Sequence, residues 1–150
     1  MASRGGPASV GSLNPLEAWD WLGQSRTAVL VDVRTWAEWT FVGVPDLTGL
    51  GKAPVCVEWA AFPDMSKNPR FVAALMEKLG GSAPSELLFI CRSGVRSLKA
   101  AEAVAEHLSD CGQEAACFNV AEGFEGDLDA LGHRGCQNGW KARGLAWRQS

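Results

Sequence analysis

Short apolar runs alternate along this chain with segments whose apolar residues recur at helical spacing. The apolar runs predict strands, because a strand that is covered on both faces reads as a continuous hydrophobic stretch. Four runs have this character, at residues 28–31, 55–57, 87–90 and 115–120. Helices are predicted at about residues 15–23, 35–39, 69–79 and 98–111. This alternation predicts an α/β fold with a mainly parallel central sheet.

Local signals mark where the helices begin and end. Asn14 followed by Pro15 predicts a helix start, since Asn is a good cap and Pro suits the first helical position. Thr35 and Glu38 have the spacing of a capping box. The third helix is predicted to stop at Gly80-Gly81, because glycine readily adopts the left-handed backbone of a helix end.

Composition and charge narrow the range of partners. The chain has 150 residues, which suits one domain with its own core. Its apolar content of 47% and charged content of 21% are ordinary for a soluble globular protein. A net charge of −3 without any basic run argues against a nucleic-acid partner. No apolar stretch approaches membrane-spanning length, so we expect no membrane partner.

The chain divides into one domain and two flanking segments. We expect residues 1–11 to be disordered, and they contain no hydrophobic stretch of the signal-peptide type. Residues 12–126 hold the predicted strands and helices. Residues 127–150 predict no long element beyond one helical turn at 138–144, and they form either a wrap packed through tryptophans or a lid over the pocket. The lid would supply cationic groups, namely His133, Arg134, Lys141, Arg143 and Arg148.

The cysteine pattern indicates a reducing compartment. The chain has five cysteines and no Cys-x-x-Cys pair. Reduced thiols fit this pattern better than a disulfide framework does, so we expect a cytoplasmic protein. Cys136 and His133 are close in sequence, but two ligands are too few for a metal site, and we expect no metal.

One loop, residues 91–97, carries the candidate chemistry. It follows the predicted strand at 87–90 and precedes a segment with a strong helical preference. This arrangement points backbone N–H groups and the positive end of a helix dipole at one place. The atom predicted to occupy that place is the sulfur of Cys91, or an anion attached to it. The dipole and the flanking Arg92 and Arg96 favour the thiolate, which is the nucleophilic form of cysteine.

Other residues of the loop complete a ring of donors. Gly94 lets the backbone curl without a Cβ penalty. Ser93 and Ser97 add hydroxyl groups. Such a ring suits a terminal sulfur carried on the cysteine, or a bound oxyanion. A buried structural thiol at a strand end is the simpler alternative for Cys91.

Two short motifs resemble signatures of the rhodaneses, the single-domain sulfurtransferase family. Cys91-Arg92-Ser93-Gly94-Val95-Arg96 resembles the active-site loop of that family. Val31-Asp32-Val33-Arg34, followed by Glu38, resembles its N-terminal signature. The resemblance runs from about Leu13 to about Gly123, and it implies about five strands with helices on both faces. Residues 41–45 replace the family's usual Gly-His-x-Pro-Gly turn and lack its histidine, which we expect to alter packing only.

The resemblance also implies a reaction. Cys91 would take a sulfane sulfur from thiosulfate or a similar anionic donor and carry it as a persulfide. A thiol or cyanide would accept the sulfur, and a protein could also be the acceptor. No cofactor is needed. Asp32 would hold the loop through a hydrogen bond or ion pair, and Arg34 would pair with an acid such as Glu38.

Three alternatives stay open. Cysteine-dependent phosphatases place five residues between the cysteine and the arginine of their loop, whereas four separate Cys91 from Arg96 here. The shorter loop makes a tighter cradle, which by resemblance goes with sulfur transfer. A non-catalytic binding module is the second alternative, although Cys91 and both loop arginines are present. The third is that Asp32 and Arg34 form a purely structural ion pair.

Overall fold

The structure is a computed structural model that describes residues 9–149. Its strands, in chain order, are β1 (Gly11–Leu13), β2 (Val29–Asp32), β3 (Val44–Pro45), β4 (Val55–Cys56), β5 (Ala60–Ala61), β6 (Ser66–Lys67), β7 (Glu86–Ile90), β8 (Ala116–Val120) and β9 (Trp147–Arg148). Its helices are α1 (Pro15–Gln24), α2 (Trp36–Phe41), α3 (Phe71–Lys78), α4 (Val95–Asp110) and α5 (Gly139–Ala142), with a 3₁₀ turn at Thr48–Leu50.

The main sheet has five strands in the order β1-β8-β7-β2-β4, and every pairing in it is parallel. Leu87 and Phe89 of β7 pack on one face with α3 and α4. Leu88 and Ile90 pack on the other face with α1 and α5. Helices therefore cover both faces, which explains why the strands read as unbroken apolar runs. The predicted α/β fold is confirmed, with the architecture that the resemblance to rhodaneses implied.

The sheet register brings the ends of its strands together. Asp32, the last residue of β2, pairs with Ile90, the last residue of β7. Phe89 pairs with Asn119 near the end of β8. The segments that follow β2, β7 and β8 consequently leave the same edge of the sheet, where α/β proteins place their ligands.

Both predicted helix starts are confirmed in detail. Asn14 accepts a hydrogen bond from the backbone N–H of Glu17 at 2.9 Å, and Glu17 accepts one from the backbone N–H of Asn14 at 2.8 Å. Thr35 and Glu38 form the same reciprocal pair at the start of α2. These boxes satisfy N–H groups that a helix start leaves without partners.

Several short elements differ from the sequence-based expectation. Gly11 lies in β1, which pairs with β8 at the sheet edge, although the sequence predicts disorder through residue 11. Residues 1–8 lie outside the described residues. The connection between β4 and α3 contains a small hairpin of β5 and β6. β9 pairs with β3, and α5 is the helical turn predicted in the tail. The division into a domain and a wrap stays a prediction.

Along residues 9–149, no helix is both long and apolar enough to cross a membrane.

Candidate active site

The loop after β7 places a backbone N–H and a hydroxyl next to the sulfur of Cys91. Cys91 follows the strand directly and is 1% exposed. Its Sγ accepts a hydrogen bond from the backbone N–H of Gly94 at 3.1 Å and lies 3.1 Å from the Oγ of Ser97. Gly94 has φ of +108° and precedes the first residue of α4, so its left-handed backbone turns the chain from the strand into the helix. The structure thus brings Cys91, Gly94 and Ser97 together.

The remaining loop residues lie farther out. Arg92 and Val95 are exposed, and Ser93 is half-buried. The Ser93 hydroxyl makes no hydrogen bond within the described residues, so its predicted place among the donors stays a prediction. The guanidinium of Arg92 makes neither a hydrogen bond nor an ion pair with residues 9–149, which leaves it available to a ligand.

A turn at residues 122–126 holds the backbone of the loop from behind. The carbonyl of Cys91 accepts a hydrogen bond from the N–H of Phe124 at 2.8 Å. The carbonyl of Arg92 accepts two, from the N–H groups of Glu125 and Gly126, at 3.0 Å each. These bonds fix the first two peptide groups of the loop. The sequence places this turn at the end of the last predicted strand and indicates that it borders the pocket, but not that it supports the loop.

Asn119 links the two sides of the loop. Its Oδ1 accepts a hydrogen bond from the Ser97 hydroxyl at 2.6 Å, and its Nδ2 donates to the carbonyl of Gly94 at 3.1 Å. Asn119 is 8% exposed and Ser97 is fully buried. The sequence analysis missed Asn119, although a polar residue near the end of an apolar strand is the signal that could have identified it.

A buried ion pair joins Asp32 to Arg34. The Nε of Arg34 donates to Oδ1 of Asp32 at 2.9 Å, and its Nη2 donates to Oδ2 at 2.7 Å. Both side chains are fully buried, and Nη2 also donates to the carbonyl of Gly43 at 2.7 Å. Burial alone would lower the pKa of Arg34, but the carboxylate of Asp32 outweighs it and raises that pKa. The guanidinium lies over the ring of Phe124, 4.3 Å from its centroid.

A second ion pair joins Glu38 to Arg96. Nη1 of Arg96 donates to Oε1 of Glu38 at 2.8 Å, and Nη2 donates to Oε2 at 2.9 Å. Burial opposes the ionisation of Glu38, yet the hydrogen bonds from Arg96 and from the backbone of Thr35 lower its pKa to about 2. Arg96 therefore approaches the site with its charge already paired.

These two pairs correct the predicted partners. Arg34 pairs with an acid, as predicted, but that acid is Asp32, two residues before it, and the suggested partner Glu38 is wrong. The prediction that Asp32 holds the loop is also wrong, since its carboxylate bonds within the described residues go to Arg34 alone. Asp32 and Arg34 form the structural ion pair that the sequence left open. The acid that does reach α4, directly after the loop, is Glu38.

A cleft of about 1010 Å³ lies beside the loop. Arg92 and Arg96 line it from the loop and α4, and Arg134 lines it from the tail. Its apolar side chains are unusually exposed: Phe41 is 71% exposed and Phe62 is 65% exposed. Met65 and Leu128 continue this apolar lining. A smaller cavity of about 420 Å³ lies along α1, and none of the residues from 9 to 149 that line it is a cysteine or an arginine.

The tail contacts both the core and the cleft. Trp140 of α5 is fully buried, and its backbone N–H donates to the carbonyl of Gly123 at 2.8 Å. Arg143 and Glu122 form an ion pair with an N···O distance of 2.6 Å, which also fastens α5 to the turn. His133 and Arg134 line the cleft. Trp140 and Arg143 thus attach α5 to the turn at residues 122–126, while His133 and Arg134 lie beside the cleft.

The other cysteines lie outside this donor ring. All five cysteines fall within the described residues and none is in a disulfide. Burial raises the pKa of Cys56 and of Cys117 to about 11, which keeps both as unreactive thiols at neutral pH. Among residues 9–149, no group of three or more His, Cys, Asp or Glu side chains is arranged to hold a metal ion.

Known proteins similar to this chain cover nearly all of it. Rv0390 from M. tuberculosis, a crystal structure, is 49% identical with a TM-score of 0.81, over 95% of this chain and 100% of that one. An uncharacterized protein of Rickettsia conorii, RC0915, is 32% identical over 93% of this chain and 98% of its own length. The chain belongs to their family. A protein encoded in the dnaA 5′ region of Rickettsia montanensis is a further member, with the same identity and coverage.

Two further comparisons complete the picture. No protein-family model matches the chain. A rhodanese-like domain protein from Staphylococcus aureus is similar at 19% identity and a TM-score of 0.49, over 94% of this chain and 99% of that one.

Proposed function

We propose that this protein is a rhodanese-type sulfurtransferase that carries a sulfane sulfur as a persulfide on Cys91. The observation behind the proposal is the environment of the Cys91 sulfur. It is buried at the start of a 16-residue helix, next to a backbone N–H and a hydroxyl. A helix N-terminus of that length favours negative charge, which both the thiolate and the persulfide carry. The resemblance of residues 91–96 to the rhodanese loop supports the same chemistry.

The first half-reaction loads the cysteine. The Cys91 thiolate attacks the outer sulfur of thiosulfate, a new S–S bond forms, and the bond between the two thiosulfate sulfur atoms breaks. Sulfite leaves with the electron pair of that bond, and the persulfide keeps a single negative charge on its terminal sulfur. Donors that face developing charge of this kind are worth about 10²–10³ in rate each. The N–H groups of residues 92–97 are the candidates for this role.

The second half-reaction transfers the sulfur from Cys91 to an acceptor. An acceptor thiolate attacks the terminal sulfur, which forms a new persulfide on the acceptor and releases the Cys91 thiolate. The two steps share one covalent intermediate, so the kinetics should be ping-pong. No general base is required where the cysteine is already ionised, and no cofactor takes part.

The charges of the cleft favour an anionic donor. Arg96 is neutralised by Glu38, which leaves Arg92 as the guanidinium of the loop that can meet the donor. We therefore assign Arg92 to binding of the thiosulfate-like anion, and Arg96 to holding α2 against the start of α4. This division follows from the ion pairs and differs from the roles expected from the sequence.

The apolar wall of the cleft favours an organic acceptor that is larger than cyanide. A volume of about 1010 Å³ matches the upper end of organic ligand sites, which run to roughly 1,000 Å³. Exposed Phe41 and Phe62 would lose contact with water against such an acceptor, whereas a two-atom anion would cover neither. A low-molecular-weight thiol and a cysteine of an acceptor protein both satisfy this chemistry.

The deciding experiment is intact mass spectrometry of the reduced protein after incubation with thiosulfate. We expect a gain of one sulfur atom that is lost on adding cyanide. Cys91→Ser should show no gain, and Cys111→Ser, which removes an exposed cysteine, should behave like the wild type. No gain in the folded wild type, with thiosulfate or with an organic persulfide, would favour a binding module. Aryl phosphate hydrolysis that disappears in Cys91→Ser would instead revive the phosphatase alternative.

A further inference from the structure

We infer that Asn119 controls the ionisation of Cys91 by holding the hydroxyl proton of Ser97. The inference rests on the proposed function only in that both concern Cys91. It is carried by the hydrogen bonds behind the loop, where three buried side chains form a chain that ends at the sulfur. Ser97 lies in the middle of that chain, 3.1 Å from the sulfur of Cys91 and 2.6 Å from Oδ1 of Asn119.

The orientation of the Asn119 amide is fixed by its second bond. Its Nδ2 donates to the carbonyl of Gly94 at 3.1 Å. The reverse orientation would place Oδ1 against that carbonyl, so that two acceptors would face each other without a proton. Oδ1 therefore faces Ser97, and an amide oxygen can only accept.

The consequence follows from counting protons. Ser97 has one hydroxyl proton, and Oδ1 of Asn119, 2.6 Å away, can only accept it, whereas a Cys91 thiol can donate its own. While that proton points at Asn119, the oxygen presents lone pairs to the sulfur. This arrangement suits a Cys91 thiol, which can donate its own proton to Ser97. It opposes a thiolate, because two acceptors would then lie side by side in a buried site.

Ionisation is therefore coupled to a rotation of the Ser97 hydroxyl. When the thiol proton leaves for water, the hydroxyl turns about its Cβ–Oγ bond and donates to the sulfur. Oδ1 of Asn119 then loses its donor. The same rotation would stabilise Cys91 as the leaving group when an acceptor removes the terminal sulfur. Asn119 is a positioning residue in this scheme, since it acts on the sulfur through Ser97.

Most of the charged side chains around Cys91 are held in ion pairs. Arg92 lies in the loop next to Cys91, and Arg96 of α4 is paired with Glu38 of α2. The end of β2 contributes the Asp32–Arg34 pair, and the turn behind the loop contributes Glu125 and the Glu122–Arg143 pair. None of these groups contacts Asn119 or the hydroxyl of Ser97 within the described residues, so changes at the two positions test the hydroxyl itself.

The test measures alkylation of Cys91 by iodoacetamide between about pH 5 and pH 10, with the modified Cys91 peptide quantified by mass spectrometry. No sulfur donor is present, so the result is independent of whether the protein transfers sulfur. In Asn119→Ala, the pH of half-maximal rate should fall by about 0.7 units, because a hydrogen bond of about 1 kcal/mol becomes available to the thiolate. The alkylation rate below that pH should rise about fivefold. Ser97→Ala should shift the midpoint upward.

Two further variants separate this effect from a loosened loop. Asn119→Asp keeps an acceptor facing Ser97, so its midpoint should not fall, whereas general loosening would move both Asn119 variants in one direction. In Ser97→Ala, the added Asn119→Ala change should have no further effect. An unchanged or raised midpoint in Asn119→Ala would overturn the inference, as would a full Asn119→Ala effect without Ser97.

Discussion

Gly123 lies directly against the backbone of the Cys91 loop. It has φ of +69°, and a Cβ added there would lie 2.5 Å from the carbonyl carbon of Arg92 and 2.6 Å from the carbonyl oxygen of Cys91. These neighbours are main-chain atoms that cannot move aside as a side chain could. Glycine is therefore required by close approach as well as by backbone conformation.

Gly123→Ala should push the loop out of place. We expect a loss of about 3 kcal/mol in the free energy of unfolding, which combines left-handed strain with overpacking, and a slower alkylation of Cys91. Gly112→Ala is the matched control, because Gly112 has φ of +72° but open space around it. It should lose about 1 kcal/mol and leave the alkylation rate unchanged. Equal losses in the two variants, measured by urea unfolding, would contradict the close-approach argument.

Residue types at the site could be predicted from the sequence, but their partners could not. Cys91, Gly94 and Ser97 lie within one short loop, so the local pattern fixes their neighbourhood. The partners of Arg34 and Arg96 depend on how β2, α2 and α4 lie relative to one another. Along the chain, both Asp32 and Glu38 are close enough to Arg34 to pair with it. Packing selects Asp32, and the spacing of these residues in the sequence does not reveal that selection.

At the scale of elements, Glu38 joins two helix starts. It closes the capping box of α2 and receives the guanidinium of Arg96 from the first turn of α4. Because its pKa is about 2 in the folded protein, against 4.5 for an ordinary glutamate, ionised Glu38 stabilises the fold. That stabilisation is complete above pH 4.5 and is lost as the pH falls toward 2.

Glu38→Gln should remove this pH dependence. At pH 7 we expect it to lower the free energy of unfolding by about 2 kcal/mol, and near pH 2 it should match the wild type. Glu77→Gln is the control, since the Glu77–Arg70 pair is exposed and has an N···O distance of 3.5 Å. Its effect should stay below about 0.5 kcal/mol. Chemical unfolding at several pH values tests both, and a constant difference between wild type and Glu38→Gln would refute the assignment.

Long elements were predictable, whereas most two- and three-residue strands were not; β4 is an exception, since residues 55–57 form an apolar run. The strands β2, β7 and β8 and the helix α4 bury enough apolar residues to leave a periodic pattern. β1, β3 and β9 have two or three residues each, too few to show any period. They form because a partner strand is already in place beside them, which is a property of the assembled sheet.

At the scale of the whole molecule, Trp140 connects the tail to the site. It is fully buried and contacts the ring of Trp19 on α1 with centroids 5.9 Å apart. Its backbone N–H bonds to the turn that supports the loop. The tail therefore stabilises the core and the Cys91 loop together.

Trp140→Ala should both destabilise the fold and disturb the loop. The expected loss is about 3–5 kcal/mol, as for other large side chains removed from a core. Trp147→Ala, which truncates a tryptophan that is 38% exposed, should lose about 1 kcal/mol. Alkylation of Cys91 at a temperature where both variants are folded should slow in Trp140→Ala alone. An unaffected rate there would show that the turn at residues 122–126 stays in place without the tail.

The hydrogen bonds that residues 9–149 show between the turn at 122–126 and the loop join main-chain atoms, since N–H groups of the turn bind the carbonyls of Cys91 and Arg92. These hydrogen bonds therefore do not depend on which side chains the loop carries. Arg92 and Val95 point away from the core and are exposed. A library randomised at residues 92, 93 and 95 would keep the Cys91 sulfur in place while the exposed surface of the loop varied. In evolution, the same separation lets the exposed side chains of this loop change without rebuilding the fold.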